Sequence, residues 1–268
     1  DLSFLGSKLL AIDENILLEY RARIVNNKIQ PICYIDLKQK ERDKLFTSEK
    51  TAFWVWEKPL PGEEYLISAD IARGAGDDYS TVQVLNAKTL VQAAELQLKI
   101  DPDLFANVLH TTALLYNEAY VVAEGNSFGL ATTYKLERAL NYKNIFYYKT
   151  YKKMHVRPTG FDDFAVDKDV EVPGFQTNSK TKPLLVSNLR EMMRENSVTI
   201  NSLRLLNEFN TWVMQTKSGN VVTASHEPGY NDDLIMAMGI GLYVRQTEYE
   251  NVVKNKKMSK VMLDAYGF

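Results

Sequence analysis

The sequence has few of the residues that build disulfide frameworks or transition-metal sites. It contains one cysteine, Cys33, and three histidines that are spread over the chain, His110, His155 and His226. A single thiol cannot form an internal disulfide, and the histidines lack the ligand spacing of a zinc site. One cysteine is also typical of proteins that work in a reducing compartment.

Long apolar segments and an excess of basic charge are absent as well. No apolar run reaches the roughly 18 residues of a membrane span, and no signal-peptide pattern opens the chain. The formal net charge is −2, so binding to nucleic acid must rest on a local basic patch. With 45% hydrophobic and 25% charged residues, the composition is that of a globular protein with a sizeable core. The chain begins with Asp1 rather than methionine, which indicates a piece of a longer protein.

Two phosphate-binding motifs are missing or incomplete. The sequence has no G-x-x-x-x-G-K-[ST] element, so the chain itself is not a P-loop ATPase. The Gly74-Ala75-Gly76 segment lacks the third glycine of a dinucleotide-binding loop, and it leads into a predicted strand rather than a helix. A tight turn is the better interpretation of these glycines.

The apolar periodicity predicts an α/β fold. Three consecutive strands are expected at 65–71, 80–87 and 91–99, and then helices at 102–117 and 127–141 alternate with strands at 119–124 and 144–149. A long loop is expected over 150–178, followed by helices at 180–195, 203–213 and 229–246 and a hairpin that turns at residues 218–220. This order predicts a mixed sheet with helices on both faces. We expect a lead-in over 1–57, one domain over 58–250 and a basic tail over 251–268.

Acidic residues occur at the ends of three predicted core elements. Asp70 closes the apolar run YLISAD, Glu124 closes YVVAE, and Asp232 and Asp233 open the apolar helix DDLIMAMGIGLYV. A structural interpretation of each acid is available, because an acid can cap a strand end or lie favourably in a first helical turn. Three such positions together favour one carboxylate cluster, because a buried acidic cluster needs a compensating cation.

A carboxylate cluster suits Mg²⁺ or Mn²⁺, which prefer oxygen ligands. Two such ions about 3.5–4 Å apart can stabilise both the attacking and the leaving oxygen of a phosphodiester. No histidine or serine nucleophile is then required, since a metal ion can activate the attacking water. The pattern therefore predicts a two-metal site for phosphate chemistry.

A basic, tyrosine-rich segment over 134–157 follows Glu124. Its candidate phosphate-backbone ligands are Lys149, Lys152, Lys153 and Arg157. A solvated face is the alternative interpretation of these side chains.

The acidic positions lie in motifs that resemble those of the nuclease domain of the tailed-phage terminase large subunit, the motor that packages viral DNA. The first motif resembles D-x-x-x-G-x-G-x-D-Y from Asp70 to Tyr79. The second is AEGNSFG from Ala123 to Gly129, and the third is GYNDDL from Gly229 to Leu234. The opening segment FLGS is similar to the one that leaves the ATPase domain in this family.

This resemblance implies an RNase H-like fold and a metal-dependent endonuclease that cleaves double-stranded DNA during genome packaging. It implies Asp70, Glu124 and Asp233 as the catalytic metal ligands, with Asp78 as an auxiliary acid near the metals. Asp232 stays a further candidate, because the physical argument alone does not choose between it and Asp233. In the full-length protein the implied partners are a P-loop ATPase domain, a portal protein and a small terminase subunit, and the implied location is the cytoplasm of the bacterial host.

Two alternatives remain open at the sequence level. The chain could be another RNase H-like enzyme, such as a Holliday-junction resolvase, an integrase-type transferase or a sugar-kinase-like ATPase. It could also be a DNA-gripping and portal-docking module whose acids are structural. Binding of Mn²⁺ through the acids would separate a nuclease from a docking module.

Overall fold

A mixed sheet forms the centre of the molecule. The structure is a computed structural model that describes residues 9–35, 53–74, 78–156, 164–217 and 220–249. The strands of the sheet are β1 (Cys33–Ile35), β2 (Phe53–Val55), β3 (Tyr65–Asp70), β4 (Ser80–Asn86), β5 (Gln92–Leu98) and β6 (Tyr120–Ala123). Their order is β1-β2-β5-β4-β3-β6. All neighbours are antiparallel except β6, which runs parallel to β3.

Helices cover both faces of this sheet, as the sequence predicts. The helices are α1 (Glu14–Asn26), α2 (Pro102–Leu115), α3 (Ser127–Tyr134), α4 (Thr181–Arg194), α5 (Leu203–Phe209) and α6 (Asp233–Val244). One hydrophobic cluster joins a face of the sheet to α1, α4, α5 and α6. A second cluster joins the opposite face to α2 and to the π-helical turn Lys135–Ala139. The predicted α/β architecture, a mixed sheet with helices on both faces, is therefore confirmed.

The alternation of side chains along β3 decides which face receives the acids. Leu66 belongs to the cluster that contains α6, whereas Ile67 belongs to the cluster that contains α2. Successive side chains of a strand point to opposite faces, so Ser68 and Asp70 share the face of Leu66. Gly241 of α6 packs directly on Ser68, since a Cβ at Gly241 would lie 2.4 Å from the Ser68 Oγ. Asp70 therefore lies on the face that α6 covers.

The prediction of a long loop over residues 150–178 is wrong. Strands β7 (Tyr147–Val156) and β8 (Phe164–Pro173) pair in an antiparallel ladder that runs from Tyr147 opposite Pro173 to Val156 opposite Phe164. The ten residues of β7 include three tyrosines, one threonine and one valine, which favour strands. The prediction gave more weight to Pro158 and Gly160, which lie between the two strands.

Other differences from the sequence-based prediction are smaller. The helix expected over 203–213 ends at Phe209, and the next residues form β9 (Trp212–Lys217), which pairs with β10 (Asn220–His226) as the predicted hairpin. The last helix begins at Asp233 with Asp232 as its N-cap, rather than near residue 229.

The proposed division into lead-in, domain and tail stays a prediction. Strands β1 and β2 come from the expected lead-in and its end, and they extend the edge of the central sheet. The opening segment FLGS and the tail 251–268 lie outside the described residues, as do residues 75–77 of the first motif. Within the described ranges, no helix is both long and apolar enough to cross a membrane.

Candidate metal centre

Asp70 and Glu124 lie side by side at the ends of two parallel strands. Ala69 of β3 is paired with Ala123 of β6, and the Glu124 N–H donates a 2.8 Å hydrogen bond to the Ala69 carbonyl. Asp70 is the last residue of β3, and Glu124 is the first residue after β6. Both side chains follow the two-residue period onto the face that α6 covers. The structure therefore brings these two sequence-predicted acids together.

The backbone around Glu124 is packed closely, and this packing explains Gly129 of the second motif. The Asn126 Nδ2 donates to the Glu124 Oε1 at 3.1 Å. On the side away from β3, the Phe175 N–H donates to the Ala123 carbonyl, and the Gly125 N–H donates to the Phe175 carbonyl. A Cβ at Gly129 would lie 1.9 Å from the Glu124 carbonyl oxygen, so a larger residue there would displace Glu124.

Asp233 reaches the same site from the first turn of α6. Thr81 of β4 is paired with Asp70, and its Oγ1 donates a 2.8 Å hydrogen bond to the Asp233 carbonyl. The Tyr79 N–H donates to the Asp233 Oδ2 at 2.9 Å. Tyr79 and Thr81, at the start of β4, thus hold the carboxylate and the backbone of Asp233 next to the strand that carries Asp70.

A carboxylate that the sequence analysis missed holds the start of α6. The Glu208 Oε2 of α5 accepts hydrogen bonds from the N–H groups of Leu234 and Ile235, at 3.0 and 3.2 Å. These N–H groups have no partner inside the helix, and an anion stabilises this end of a helix. The side chain of the N-cap residue makes no capping hydrogen bond of its own. Glu208 therefore caps the helix that carries Asp233, from 26 residues earlier in the chain.

Asp232 has different partners from Asp233, although the two residues are adjacent. The Trp212 Nε1 donates to the Asp232 Oδ2 at 3.2 Å. Lys182 lies 3.9 Å from the same oxygen, and His226 Nε2 lies 3.8 Å from the Oδ1. Asp232 is 9% exposed and therefore buried among these side chains. This geometry separates the roles of the two acids, which the sequence alone could not do.

Burial, together with the proximity of the acids, raises the pKa values of Asp70 and Asp233. Burial is the largest cause that holds the pKa of Asp70 well above its usual range, followed by the charge of Glu124 and a hydrogen bond between the two carboxyl groups. The charges of Asp233 and Asp232 act in the same direction. Burial also raises the pKa of Asp233 to about 6, with contributions from Asp78 and Asp232, against a lowering effect of the Tyr79 hydrogen bond. Like charges that crowd in this way favour either a shared proton or a bound cation.

The donor atoms fit a hard cation. Asp70, Glu124 and Asp233 present carboxylate oxygens, the ligands that Mg²⁺ and Mn²⁺ prefer. In this conformation, however, no group of three His, Cys, Asp or Glu side chains among the described residues is arranged so that it could hold a metal ion. The carboxyl groups of Asp70 and Glu124 contact each other, and Asp233 is bound to the Tyr79 N–H instead. Metal binding therefore requires these side chains to turn toward a common point.

The remaining sequence-predicted residues are Asp78 and the basic residues of segment 134–157. Asp78 is exposed and contributes charge near Asp233. Lys149, Lys152 and Lys153 are all on β7 rather than in a loop, and Lys149 is exposed. The backbone register sets Lys149 opposite Glu171, Lys152 opposite Lys168 and Lys153 opposite Asp167. Arg157 lies outside the described residues.

A second buried acid, Glu95, belongs to a separate network. Its Oε1 accepts from Ser202 Oγ and from Arg204 Nε, both at 2.8 Å, and its Oε2 accepts from the side-chain amides of Gln83 and Gln92 at 3.0 and 3.2 Å. An acid within the apolar strand QAAELQL is the same signal that marked Asp70, but here its partners satisfy it completely. Glu95 therefore has a structural role that joins β5 to the start of α5.

The fold is similar to those of solved phage nucleases. No family model matches this chain. The large terminase nuclease from thermophilic phage G20c, in a structure with bound cobalt, has a TM-score of 0.55 and 20% sequence identity over 73% of this chain and 88% of that chain. Its structure with bound magnesium has a TM-score of 0.54 and 18% identity over the same shares. The large terminase nuclease domain of Thermus phage P74-26 has a TM-score of 0.52 and 16% identity, over 81% of this chain and 92% of that chain. These comparisons, together with the mixed sheet and its two helical layers, show that the chain has the fold of the large terminase nuclease domains.

Proposed function

We propose that the chain is the nuclease domain of a tailed-phage terminase large subunit, a divalent-metal-dependent endonuclease that cleaves double-stranded DNA during genome packaging. The observation that carries this proposal is that Asp70 and Glu124 lie side by side on neighbouring parallel strands. Thr81, which is paired with Asp70, holds Asp233 near them through a hydrogen bond to the Asp233 carbonyl. Three acids from three separate motifs converge on one edge of a fold that solved terminase nucleases share.

Asp70, Glu124 and Asp233 are the proposed metal ligands, with Asp78 as an auxiliary acid. Mg²⁺ or Mn²⁺ is the proposed cofactor, as one or two ions, and such ions would polarise the phosphodiester and activate water. The G20c nuclease binds magnesium in one structure and cobalt in another, which supports a divalent site in this fold. Asp232 is a weaker candidate ligand, because Trp212, Lys182 and His226 already surround it.

The proposed substrate contacts come from the basic segment 134–157, and the proposed partners follow from the resemblance to the family. Lys149, Lys152 and Lys153 of β7, together with Arg157, are proposed to contact the DNA backbone. In a longer protein, the partners would be a P-loop ATPase domain, a portal protein and a small terminase subunit. The site of action would be the cytoplasm of the bacterial host.

Incubation of supercoiled plasmid with the chain in Mg²⁺, Mn²⁺ or EDTA tests the proposal. We expect nicking and linearisation with either metal, little sequence preference and no cleavage in EDTA, because contacts to phosphates carry no sequence information. Asp70→Asn and Glu124→Gln should remove cleavage, since each keeps the side-chain volume and loses the ligand charge. Glu195→Gln is the matched control, because Glu195 is an exposed acid at the far end of α4.

Three outcomes would contradict the proposal. Full activity in EDTA would exclude the metal site, and cleavage of a four-way junction in strong preference to plasmid would indicate a junction resolvase. Failure of the wild-type chain to bind Mn²⁺ by calorimetry would favour the docking module, whose acids are structural.

A further inference from the structure

Two cations cover aromatic rings close to the acids. The Arg73 guanidinium carbon lies 5.2 Å from the centroid of the Phe128 ring, and the Lys99 Nζ lies 4.9 Å from the centroid of the Tyr79 ring. Arg73 and Lys99 are exposed, and Phe128 keeps 40% of its surface in solvent. The face of an aromatic ring attracts a cation, so each contact restricts the long side chain of Arg73 or Lys99. The charged group stays exposed to solvent.

The Lys99–Tyr79 pair and the acids lie at the same end of the sheet, where β3, β5 and β6 end and β4 begins. Tyr79 directly precedes β4 and Lys99 directly follows β5, while Asp70 ends β3 and Glu124 directly follows β6. β4 is antiparallel to β3 and to β5, and β6 is parallel to β3. The start of β4 and the ends of β3, β5 and β6 therefore lie at the same end of the sheet. Along this end of the sheet the order of the side chains is therefore Lys99, Tyr79, Asp70 and Glu124. They lie on neighbouring strands that are about 4.8 Å apart.

Arg73 is held at this end of the sheet by its neighbours in the chain. The Ala72 N–H donates to the Ser80 Oγ at 3.2 Å. Gly74 has a φ of +81°, and a Cβ there would lie 2.6 Å from the Ile100 carbonyl oxygen. The segment that carries Arg73 is therefore pressed against the residue that follows Lys99.

Phe128 belongs to the Glu124 side of the site. It follows Glu124 by four residues and precedes Gly129, whose backbone packs against the Glu124 carbonyl. The Arg73–Phe128 pair is thus next to Glu124, whereas Tyr79 donates its N–H to Asp233. One cation therefore lies near the start of α3, which follows Glu124, and the other lies over the ring of Tyr79, which binds Asp233.

We propose that Arg73 and Lys99 form a phosphate-binding rim that holds the DNA backbone beside the carboxylates. This inference rests on the proposed function and names the groups that hold its substrate at the site. A polyanion that approaches an acidic centre is repelled, and the net charge of −2 supplies no general attraction. Local cations that rings hold in place would offset this repulsion, and a guanidinium can bind a phosphate through two parallel hydrogen bonds.

Binding of a fluorescent DNA duplex by the Arg73→Gln/Lys99→Gln variant tests the rim. Anisotropy is measured over a series of salt concentrations in Ca²⁺, and a gel checks that the duplex stays intact. The slope of log K against log salt should become shallower by about 1.8, because each lost phosphate contact releases about 0.9 fewer counterions. Arg194→Gln, an exposed arginine at the far end of α4, should leave the slope unchanged.

The cleavage readouts separate lost binding from lost chemistry. In Mg²⁺ the double variant should have a raised KM with little change in kcat, because the rim binds the ground state and the transition state alike. Mn²⁺ binding and urea unfolding should match the wild type, since both side chains are exposed. If the double variant does not fold, each single variant should flatten the slope by about 0.9.

The rim and the proposed function can fail separately. A wild-type chain that cuts plasmid, together with a folded double variant whose salt slope is unchanged, overturns the rim alone and leaves the hairpin lysines as the candidate backbone contacts. A wild-type chain that binds duplex but never cuts overturns the nuclease, while the slope still decides the rim. A wild-type chain that neither binds nor cuts overturns both.

Discussion

Asp232 and Asp233 are neighbours in the sequence, yet their side chains lie among different groups. The Asp233 carboxylate is held by the Tyr79 N–H at the edge where Asp70 and Glu124 meet. The Asp232 carboxylate contacts Trp212 and lies near Lys182 and His226. A helix start separates the two side chains, since consecutive residues of a helix do not share a face.

This separation predicts unequal effects of two matched substitutions. Asp233→Asn should reduce cleavage by more than about 100-fold, because it removes a proposed metal ligand. Asp232→Asn should reduce cleavage by only about 10-fold. This is the lower end of the effect expected for a residue that neighbours a metal ligand but does not bind the metal. Plasmid cleavage rates in Mg²⁺ and Mn²⁺ provide the measurement. The opposite order would show that Asp232 is the ligand.

Glu208 is expected to act on the site through the start of α6. Glu208→Ala would leave the buried N–H groups of Leu234 and Ile235 without an acceptor, at a cost of about 1–3 kcal/mol each. Glu208→Gln keeps an oxygen acceptor and removes a carboxyl group. Burial holds the pKa of that carboxyl group well above its usual range. We therefore expect the alanine variant, and not the glutamine variant, to lose stability in urea unfolding.

The two Glu208 variants also separate positioning from simple stability. The alanine variant should bind Mn²⁺ about 10–100-fold more weakly in calorimetry, because the helix end that carries Asp233 is no longer fixed. The glutamine variant should restore most of that affinity. Equal stability and equal metal affinity in both variants would show that Glu208 does not position Asp233.

At the scale of whole elements, the contact between α6 and β3 sets the distance between the helix and the strand that carries Asp70. A Cβ at Gly241 would lie 2.4 Å from the Ser68 Oγ and 2.9 Å from the Ser68 Cβ. The hydroxyl could rotate, but the Cβ is fixed to the strand. A Cβ at Gly239 would lie 3.8 Å from its nearest neighbour, Leu185, which is an ordinary contact. The two glycines of one helix therefore provide a matched pair.

Gly241→Ala should destabilise the protein by about 1–3 kcal/mol through overpacking. Gly239→Ala should leave the stability unchanged or raise it by up to about 1 kcal/mol, since alanine favours a helix over glycine. Urea unfolding of both variants measures the difference. The Gly241 variant should also lose activity, because a displaced α6 moves Asp233 away from Asp70. A Gly241 variant as stable as the Gly239 variant would contradict this account of the packing.

The elements also show where sequence patterns carry enough information. Strands β3 to β6 were predictable, because β3 and β6 have mostly apolar runs that end at an acid, while β4 and β5 have apolar residues at regular intervals between turns. The β7–β8 hairpin was not, because charged residues interrupt Val166, Val170 and Val172, and Pro158 with Gly160 suggested a loop. Strands β1 and β2 have three residues each, which is too short for a reliable period.

At the scale of the whole molecule, the candidate site could be predicted only where its residues lie in local motifs. Asp70, Glu124 and Asp233 each end or open a core element, so their convergence followed from the fold. Glu208 acts from another helix, and no local pattern marks it as a cap for α6. The partners that distinguish Asp232 from Asp233 also come from distant parts of the chain. Tertiary contacts of this kind require the structure.

The crowded carboxylates give a last prediction, which concerns pH and metal together. The folded pKa values of Asp70, Asp233 and Glu208 are all raised, that of Asp233 to about 6. A carboxyl group with a raised folded pKa binds more protons in the folded state than in the unfolded state between the two pKa values. It therefore stabilises the fold at low pH, and this contribution is lost as the pH rises through the folded pKa.

In EDTA, the free energy of unfolding should therefore fall as the pH rises from 5 to 7. Saturating Mg²⁺ should flatten this dependence, because a cation that binds Asp70 and Asp233 keeps them ionised in the folded state and adds binding energy at pH 7. Urea unfolding at pH 5, 6 and 7, with and without Mg²⁺, gives both slopes. Asp233→Asn should show a shallower slope in EDTA and a smaller effect of Mg²⁺, while Glu195→Gln should behave as the wild type. A stability that rises with pH in EDTA, or that Mg²⁺ does not change at pH 7, would contradict a carboxylate site that binds metal.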